Sequence, residues 1–536
     1  METGKEEAGM TKRFCRLLAV LLLLASLLGG CSDKTAGQVF RLDILSEPSS
    51  IDPQTASSDE QYLILLNTME GLLKMDENQT PTEAAAESYA VSADGLTYTF
   101  LLRKDMLWSD GKTPVTAYDF QFAFQRLFDP QTQSPAAVNF TCIRGSSAAL
   151  SGEGSVQDIG VTAQDDDTLV FSLEHLNPSF LSLLTTPAAL PCNEDFFRAA
   201  RGKYGVSDEF MLFNGPFFIY SWPEGEYIHM RKNTNYHARD SVIPSAFRLY
   251  IREENDLSRL TGGAVDAAAV SFSELETLDE TYGTVQFSNI LWAILPNLEN
   301  PALANLSIRQ ALAAGVDRED LSGYLAQNQQ IASVPVPPAV TLGGASYREQ
   351  AGDSDGLDEL PYTAAELFQI GLRELAADAS PSLTLICPDS DGIPLLLSQL
   401  QRQWRDTLGV FINIEPLEPS ELDSRIASRD YDLALCPVKA SYDSPEAVLS
   451  QLYGGESLTG WQNDQMAGYM NGAKNASTAS GVLSSYRSAE RLLTQNGVVL
   501  PLFYETSYYV TAPSVTGLRF SPFGCHVSFA EGRKKG

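Results

Sequence analysis

The 536-residue chain has no Cys-x-x-Cys pair, and its four histidines, His175, His229, His237 and His526, stand far apart. Zinc-ribbon and thioredoxin-type sites are therefore excluded, and no dedicated metal site or other cofactor is expected. The chain also lacks H-E-x-x-H, the local signature of zinc peptidases, and its G-x-S-x-G match, Gly352–Gly356, falls in a stretch rich in Gly, Asp and Ser that reads as a surface loop rather than the strand-to-helix turn of a serine hydrolase. An extracellular hydrolase needs an activated nucleophile or a metal, so that class is disfavoured. Positive charge is scarce: 37 Lys and Arg stand against 68 Asp and Glu, giving a net charge of −31. Such a surface repels phosphate, so nucleic acid is excluded as a partner, and adsorption to anionic lipid with it. The acidity reads as a solubilising exterior and identifies no ligand.

Only one long apolar run is present, Leu17–Leu28. It is too short to span a bilayer, which takes about 20 residues. Lys12, Arg13 and Arg16 precede it, and Leu28-Gly29-Gly30-Cys31 closes it. A basic region, an apolar stretch and a small-residue exit make an export signal. Met10 is an alternative start, because the acidic stretch before it is unlike such a basic region. The Cys after the small pair resembles a bacterial lipobox, which implies lipidation at Cys31 and a mature chain tethered to the membrane. Residues 1–30 then form the signal and residues 31–38 a polar leash. Five cysteines remain beyond Cys31: Cys142, Cys192, Cys387, Cys436 and Cys525. An oxidising location permits bridges, with Cys387–Cys436 and Cys142–Cys192 as candidates.

The rest is long enough for several domains. Val39–Leu45 and Leu96–Leu102 alternate as strands, and Tyr62–Leu73 reads as a helix. Thr116 with Asp119 forms a variant capping box, followed by a buried face of Ala117, Phe120, Phe124 and Phe128. Val161–Leu173 is a strand region, and Phe217–Tyr220 a strand after the Asn214-Gly215-Pro216 break. Ser307 is positioned to cap the helix Ile308–Gly315. From residue 383 the pattern alternates: strands Leu383–Cys387, Val410–Ile414 and Tyr431–Cys436, with helices Leu395–Leu408 and Ser420–Ser428 between them. That alternation predicts parallel βαβ units. Ser485–Leu493 is a helix and Val498–Tyr504 a strand. Trp404, with Leu400 and Leu408 at i±4, is expected in the core.

Taken in order, these segments resemble one family, the extracytoplasmic solute-binding proteins of peptide-type ABC importers. The residues that carry the resemblance are Glu47-Pro48, Ile51-Asp52-Pro53-Gln54, Glu70-Gly71-Leu72, the block Glu87–Phe120 containing Trp108-Ser109-Asp110-Gly111, Asn214-Gly215-Pro216-Phe217, Arg231 to Tyr236 (R-x-N-x-x-Y), Ser307-Ile308-Arg309-Gln310-Ala311-Leu312 with Asp317-Arg318, Tyr442-Asp443-Ser444-Pro445, and Leu500 to Tyr504. These motifs speak for fold more than for chemistry.

The resemblance implies an α/β periplasmic-binding-protein fold (class II-like, cluster C): two lobes around a cleft, with a third domain inserted in the first. The implied boundaries are 39–72, 197–296 and 501–536 for the first lobe, 73–196 for the insertion and 297–500 for the other lobe. It implies a monomeric, non-enzymatic receptor that hands its solute to permease subunits. In peptide-binding members the ligand lies extended between two backbone segments. Those correspond here to Ser57-Ser58-Asp59 and Val438-Lys439-Ala440-Ser441. Peptide binders place an Asp at the position of Ser441 to hold the peptide ammonium. Its absence leaves Asp443 or Asp59 as substitutes, or a ligand without a free amine. Lys439 favours an anionic or neutral ligand end, or else points to solvent. Trp461 and Trp222 are candidate ligand contacts. Family members also carry nickel chelates, haem, sugars and opines, and a sensory lipoprotein of the same fold is the further alternative.

Overall fold

The computed structural model describes residues 38–76, 79–377, 380–390, 392–455, 457–523 and 527–535. The export signal, Cys31 and Cys525 lie outside the described residues.

Three larger sheets organise the chain. The first pairs Val39–Ile44 in parallel with Ala246–Ile251, followed by Tyr227–Lys232 and Phe217–Ser221. The second is an antiparallel sheet of Ala86–Val91, Thr97–Leu102, Thr168–Ser172 and Val161–Ala163. Helix Ala117–Phe128 covers it, with Ala117, Phe120, Phe124 and Phe128 wholly buried. Thr116 and Asp119 form the expected capping box: the Asp119 carboxylate accepts the Thr116 N–H at 2.8 Å.

The third sheet has seven strands. Its centre is two long strands, Gly283–Pro296 and Leu500–Thr511, paired antiparallel. Leu433–Lys439 flanks them, then Leu383–Pro388 and Ile412–Leu417, the last three parallel to one another as the βαβ pattern predicts. Helices Ile393–Leu408 and Pro419–Ala427 make the crossovers. Trp404 is buried and donates its indole N–H to Leu312 O at 2.9 Å.

Local differences from expectation have local causes. The first helix runs Asp59–Thr68, not Tyr62–Leu73. Ser58 caps it through Gln61, and Met69 leaves it in an extended conformation, φ −126° and ψ 159°. Asn305, not Ser307, caps Leu306–Ala314, accepting from Ile308 N at 3.0 Å, while the Ser307 hydroxyl bonds Glu374. The candidate disulfides are not formed: Cys142, Cys192, Cys387 and Cys436 are all free and buried. Leu383–Pro388 and Leu433–Lys439 are indeed neighbours, but Cys387 enters the hydrophobic core on one face of the sheet and Cys436 the core on the other. Side chains alternate along a strand, and Cys387 and Cys436 have opposite parity in the shared register.

Candidate functional site: a chamber between the sheets and an open strand edge

Four of the motifs that carry the family resemblance converge on one junction. Asn214 clamps the Glu70 backbone, accepting its N–H at 3.0 Å and donating to its carbonyl at 2.9 Å. A Cβ on Gly215 would lie 2.6 Å from Met69 N, so only glycine lets these two backbones meet. Asn233 bonds the Gly215 carbonyl at 3.0 Å, and Tyr236 O–H donates to the Glu70 carboxylate. His237 Nε2 stands 2.6 Å from the other Glu70 oxygen. Burial, and then the Glu70 charge, push the Tyr236 hydroxyl pKa well up. Ser109, from the W-S-D-G turn, bonds Phe213 O at 2.7 Å and receives Asn235 Nδ2 at 3.2 Å.

Glu70 and Tyr236 form one wall of a chamber of about 180 Å³. Ser182–Pro187 contributes a second wall, Arg519–Phe523 with Ser528, Ala530 and Glu531 a third, and Ser441, Tyr442 and Asp443 a fourth. Asp443 is 3 % exposed, and its oxygens accept Thr341 N at 2.6 Å and Thr341 Oγ1 at 2.5 Å. Burial raises its pKa against these two bonds. Its carboxylate pins the hairpin that begins at Thr341. A second chamber of about 180 Å³ is lined by Asp59, Leu63, the strand Ala267–Val270 and Tyr509, with Phe520 shared between the two.

The sequence candidates do not gather in one place. Ser441 and Asp443 line the first chamber and Asp59 the second, while Ser57, Ser58, Val438, Lys439, Ala440, Trp222 and Trp461 line neither. The Ser57 and Ser58 N–H groups donate to Gln61 Oε1 at 2.8 and 2.9 Å. Val438 and Ala440 are buried. Trp461 is 8 % exposed and packs edge-on against Tyr453. Trp222 donates its indole N–H to Glu47 at 2.7 Å.

Lys439 is exposed and shares a cross-strand row with Ile290 and Glu505. Burial raises the Glu505 pKa, opposed by a hydrogen bond from Trp292 and by the Lys439 charge. The Lys439 charge therefore has a carboxylate answering it two strands away. Sequence reading missed Glu505 and Trp292; the one signal was an acidic residue inside the apolar run Leu500–Tyr504 and its sequel.

The strand Leu433–Lys439 ends at this chamber with one edge open. On one side it pairs with Pro296 through Ile290 along its whole length. On the other, Leu383–Pro388 pairs only with Leu433 and Ala434. In that register Cys387 and Pro388 lie opposite Leu435 and Cys436, and among the described residues no strand pairs with the edge beyond them, from Pro437 to Lys439. It is a template for an added strand that leads to Ser441 and the chamber.

Comparison with known proteins is consistent with this geometry. Residues 80–459 match the model of the bacterial extracellular solute-binding proteins, family 5. The chain belongs to that family. Its members are binding receptors, not enzymes, and act outside the cytoplasm. The chain is 29% identical over 500 residues to the dipeptide-binding protein DppE of Bacillus subtilis, covering 92% of this chain and 91% of that one. It is 28% identical over 503 residues to the probable deoxycholate-binding periplasmic protein YgiS of Escherichia coli, covering 90% of each. Among solved structures, the substrate-binding domain of an oligopeptide ABC transporter from Bacillus anthracis superposes with a TM-score of 0.75 at 26% identity, over 94% of this chain and 99% of that one.

Proposed function

We propose that this chain is a lipid-anchored receptor of an ABC importer, and that it captures a peptide and delivers it to permease subunits. The observation that carries the peptide reading is the short open edge Pro437–Lys439, at the end of the strand Leu433–Lys439 and beside the chamber. Such an edge binds a backbone through alternating N–H and C=O groups and is tolerant of side chains. The family membership and the peptide-binding relatives support it. On this reading the contacts come from Lys439 and Ser441 on one side and the Ser57–Asp59 segment on the other. The first lobe is 39–72, 197–296 and 501–536, the insertion 73–196 and the second lobe 297–500, acting as a monomer. Cys31 supplies the anchor, and Cys31→Ser should release the protein or leave it unprocessed; retention of a processed variant refutes the anchor.

No carboxylate stands at Ser441, and both Asp443 oxygens are engaged by Thr341. N-acetylated peptides should therefore bind about as well as free ones. Calorimetry with both forms, on the wild type and on Asp443→Asn and Asp59→Asn, tests this. A buried ammonium partner would cost about 2–5 kcal/mol on truncation. A strong preference for the free amine, abolished by either substitution, would assign that carboxylate as the anchor. No binding of any peptide would move the ligand to another solute, with the apolar chamber and the deoxycholate-binding relative pointing to an amphipathic acid.

A further inference from the structure

Resting on the anchor reading, we infer that the outer face of the first sheet lies on the anionic phospholipid surface beside the tether and orients the receptor there. The chain carries 37 Lys and Arg against 68 Asp and Glu, so a face of unanswered cations stands out. Side chains alternate along a strand, and Phe40, Leu42, Phe247, Leu249, Ile228 and Met230 turn inward to the core. Arg41, Arg248, His229 and Arg231 therefore share the other face. In the register Arg41 stands opposite Arg248, and Arg248 opposite His229, a cationic row across three strands. Like charges so placed oppose pairing.

Asp266 answers Arg41 at 3.3 Å. Among the described residues no carboxylate pairs with Arg248 or Arg231. Arg248 keeps its Nε buried without a partner. The Arg231 guanidinium lies 3.3 Å from the centre of the exposed Tyr220 ring. Burial, and then the Arg248 and Arg231 charges, push the His229 pKa down, as expected where no anion cancels the field. Tyr220 and Tyr227 add rings with an apolar body and a polar tip, which suit a headgroup layer.

The place of the face selects the anion. Val39–Ile44, which carries Arg41, is the strand that the leash enters. Gln38 donates to the Lys534 carbonyl at 2.6 Å and accepts its N–H at 2.5 Å. Lys534 Nζ reaches Asp266 at 2.8 Å. Arg533 and Lys535, both exposed, flank it, and among the described residues neither has a carboxylate partner. The two ends of the chain thus bring cations to the point where the leash arrives. A leash of residues 31–38 spans at most about 28 Å. Arg248 and Arg231 stand one and two strands from it, about 5 and 10 Å. On a lipidated chain this face is held within reach of headgroup phosphates, which arginine grips with paired N–H groups. The net charge of −31 opposes adsorption of a free chain. A tether supplies the local concentration instead, and at physiological salt a phosphate feels only charges within about 8 Å. Leu42 and Ile44, on the inner side of the same sheet, line the second chamber, so lipid and solute take opposite faces.

The test uses the chain from Cys31 onward carrying Cys525→Ser, coupled through the Cys31 thiol to a maleimide lipid in phosphatidylcholine vesicles with and without phosphatidylglycerol. The other four thiols are buried. Phenylglyoxal modification of Arg231, read by peptide mass spectrometry, reports on the face. The exposed Arg402, on helix Ile393–Leu408, is the control. Phosphatidylglycerol should slow Arg231 modification about fivefold or more and leave Arg402 unchanged, and high salt should remove the protection. Arg248→Gln, and separately Arg533→Gln with Lys535→Gln, should each remove most of it, because one cation near such a surface is worth about fivefold. Equal Arg231 rates on the two vesicles, equal slowing of Arg231 and Arg402, or protection that both variants leave intact overturns the inference. The lipid is attached chemically, so none of these outcomes depends on acylation in the cell, which the Cys31→Ser experiment decides.

Discussion

Replacing Arg126 tests how the turn before Ser57 is held. Arg126 sits on helix Ala117–Phe128 and reaches back to the Asp52-Pro53-Gln54 turn. Its Nη2 lies 2.5 Å from Asp52 Oδ2, and Nη1 lies 3.0 Å from Oδ1 and 2.7 Å from Gln54 Oε1. The guanidinium stands 3.9 Å from the centre of the Phe197 ring. The two side chains are 7% and 11% exposed, so water cannot take over either charge. The fork is worth something only while both charges stay together. Arg126→Met leaves the Asp52 carboxylate buried with the Gln54 N–H, at 3.2 Å. Breaking a buried pair from one side costs about 3–5 kcal/mol. Removing both charges, in Arg126→Met with Asp52→Asn, should cost about 2–3 kcal/mol less than the sum of the single changes, because neither charge is then orphaned. Urea unfolding of the ligand-free protein, followed by tryptophan fluorescence, gives the four stabilities of the cycle. A single Arg126→Met cost below about 1 kcal/mol, or costs that simply add, refutes the reasoning.

Asp119 should make stability fall between about pH 4 and 6. Burial pushes its carboxyl up to about 6 despite hydrogen bonds from Thr116 and Asn193, above its ordinary value of 3.8. The folded state therefore favours the proton: the contribution is fully present below pH 3.8 and lost as pH rises through about 6, at most about 3 kcal/mol. Thermal melts of the wild type and Asp119→Asn across that range should converge toward low pH; parallel curves refute the assignment. The thiols of Cys142 and Cys436 are pushed up to about 12 by burial, and those of Cys192 and Cys387 to about 11. In a mature domain carrying Cys525→Ser, and lacking Cys31, a thiol reagent at pH 8 should find none of the four in the native protein and all four after unreduced denaturation. A lower count when denatured would reveal a bridge.

Much of the architecture was legible in the sequence because it depends on local patterns. The period of two in Leu96–Leu102, the helical face through Phe120, Phe124 and Phe128, and the strand–helix alternation after residue 383 are written residue by residue. Cap identity was less secure: Asn305 and Ser307 are both competent, and only the path of the chain into the helix chose between them. The family motifs were recognisable as words, but their meaning was not. Glu70, Asn214, Gly215, Asn233 and Tyr236 lie up to 166 residues apart and become one hydrogen-bonded junction only in three dimensions.

The candidate site depended most on tertiary structure. Sequence placed Lys439, Ser441 and Asp443 at the end of a strand, since strand ends in α/β sheets carry ligands. It could not say that Asp443 is engaged by Thr341, or that Glu505 answers Lys439 across two strands. Nor could it tell that Cys387 and Cys436 fall on opposite faces of neighbouring strands. Each of these depends on register, and register is a relation between strands remote in sequence: a shift of one residue would have turned every side chain to the other face. The sequence by itself determined the fold family and the order of its elements, because periodicity and motif spacing are local. Which residues share a chamber was decided by the tertiary structure, which set Glu70 and Tyr236 beside Ser441 and Asp443, residues that no local pattern relates.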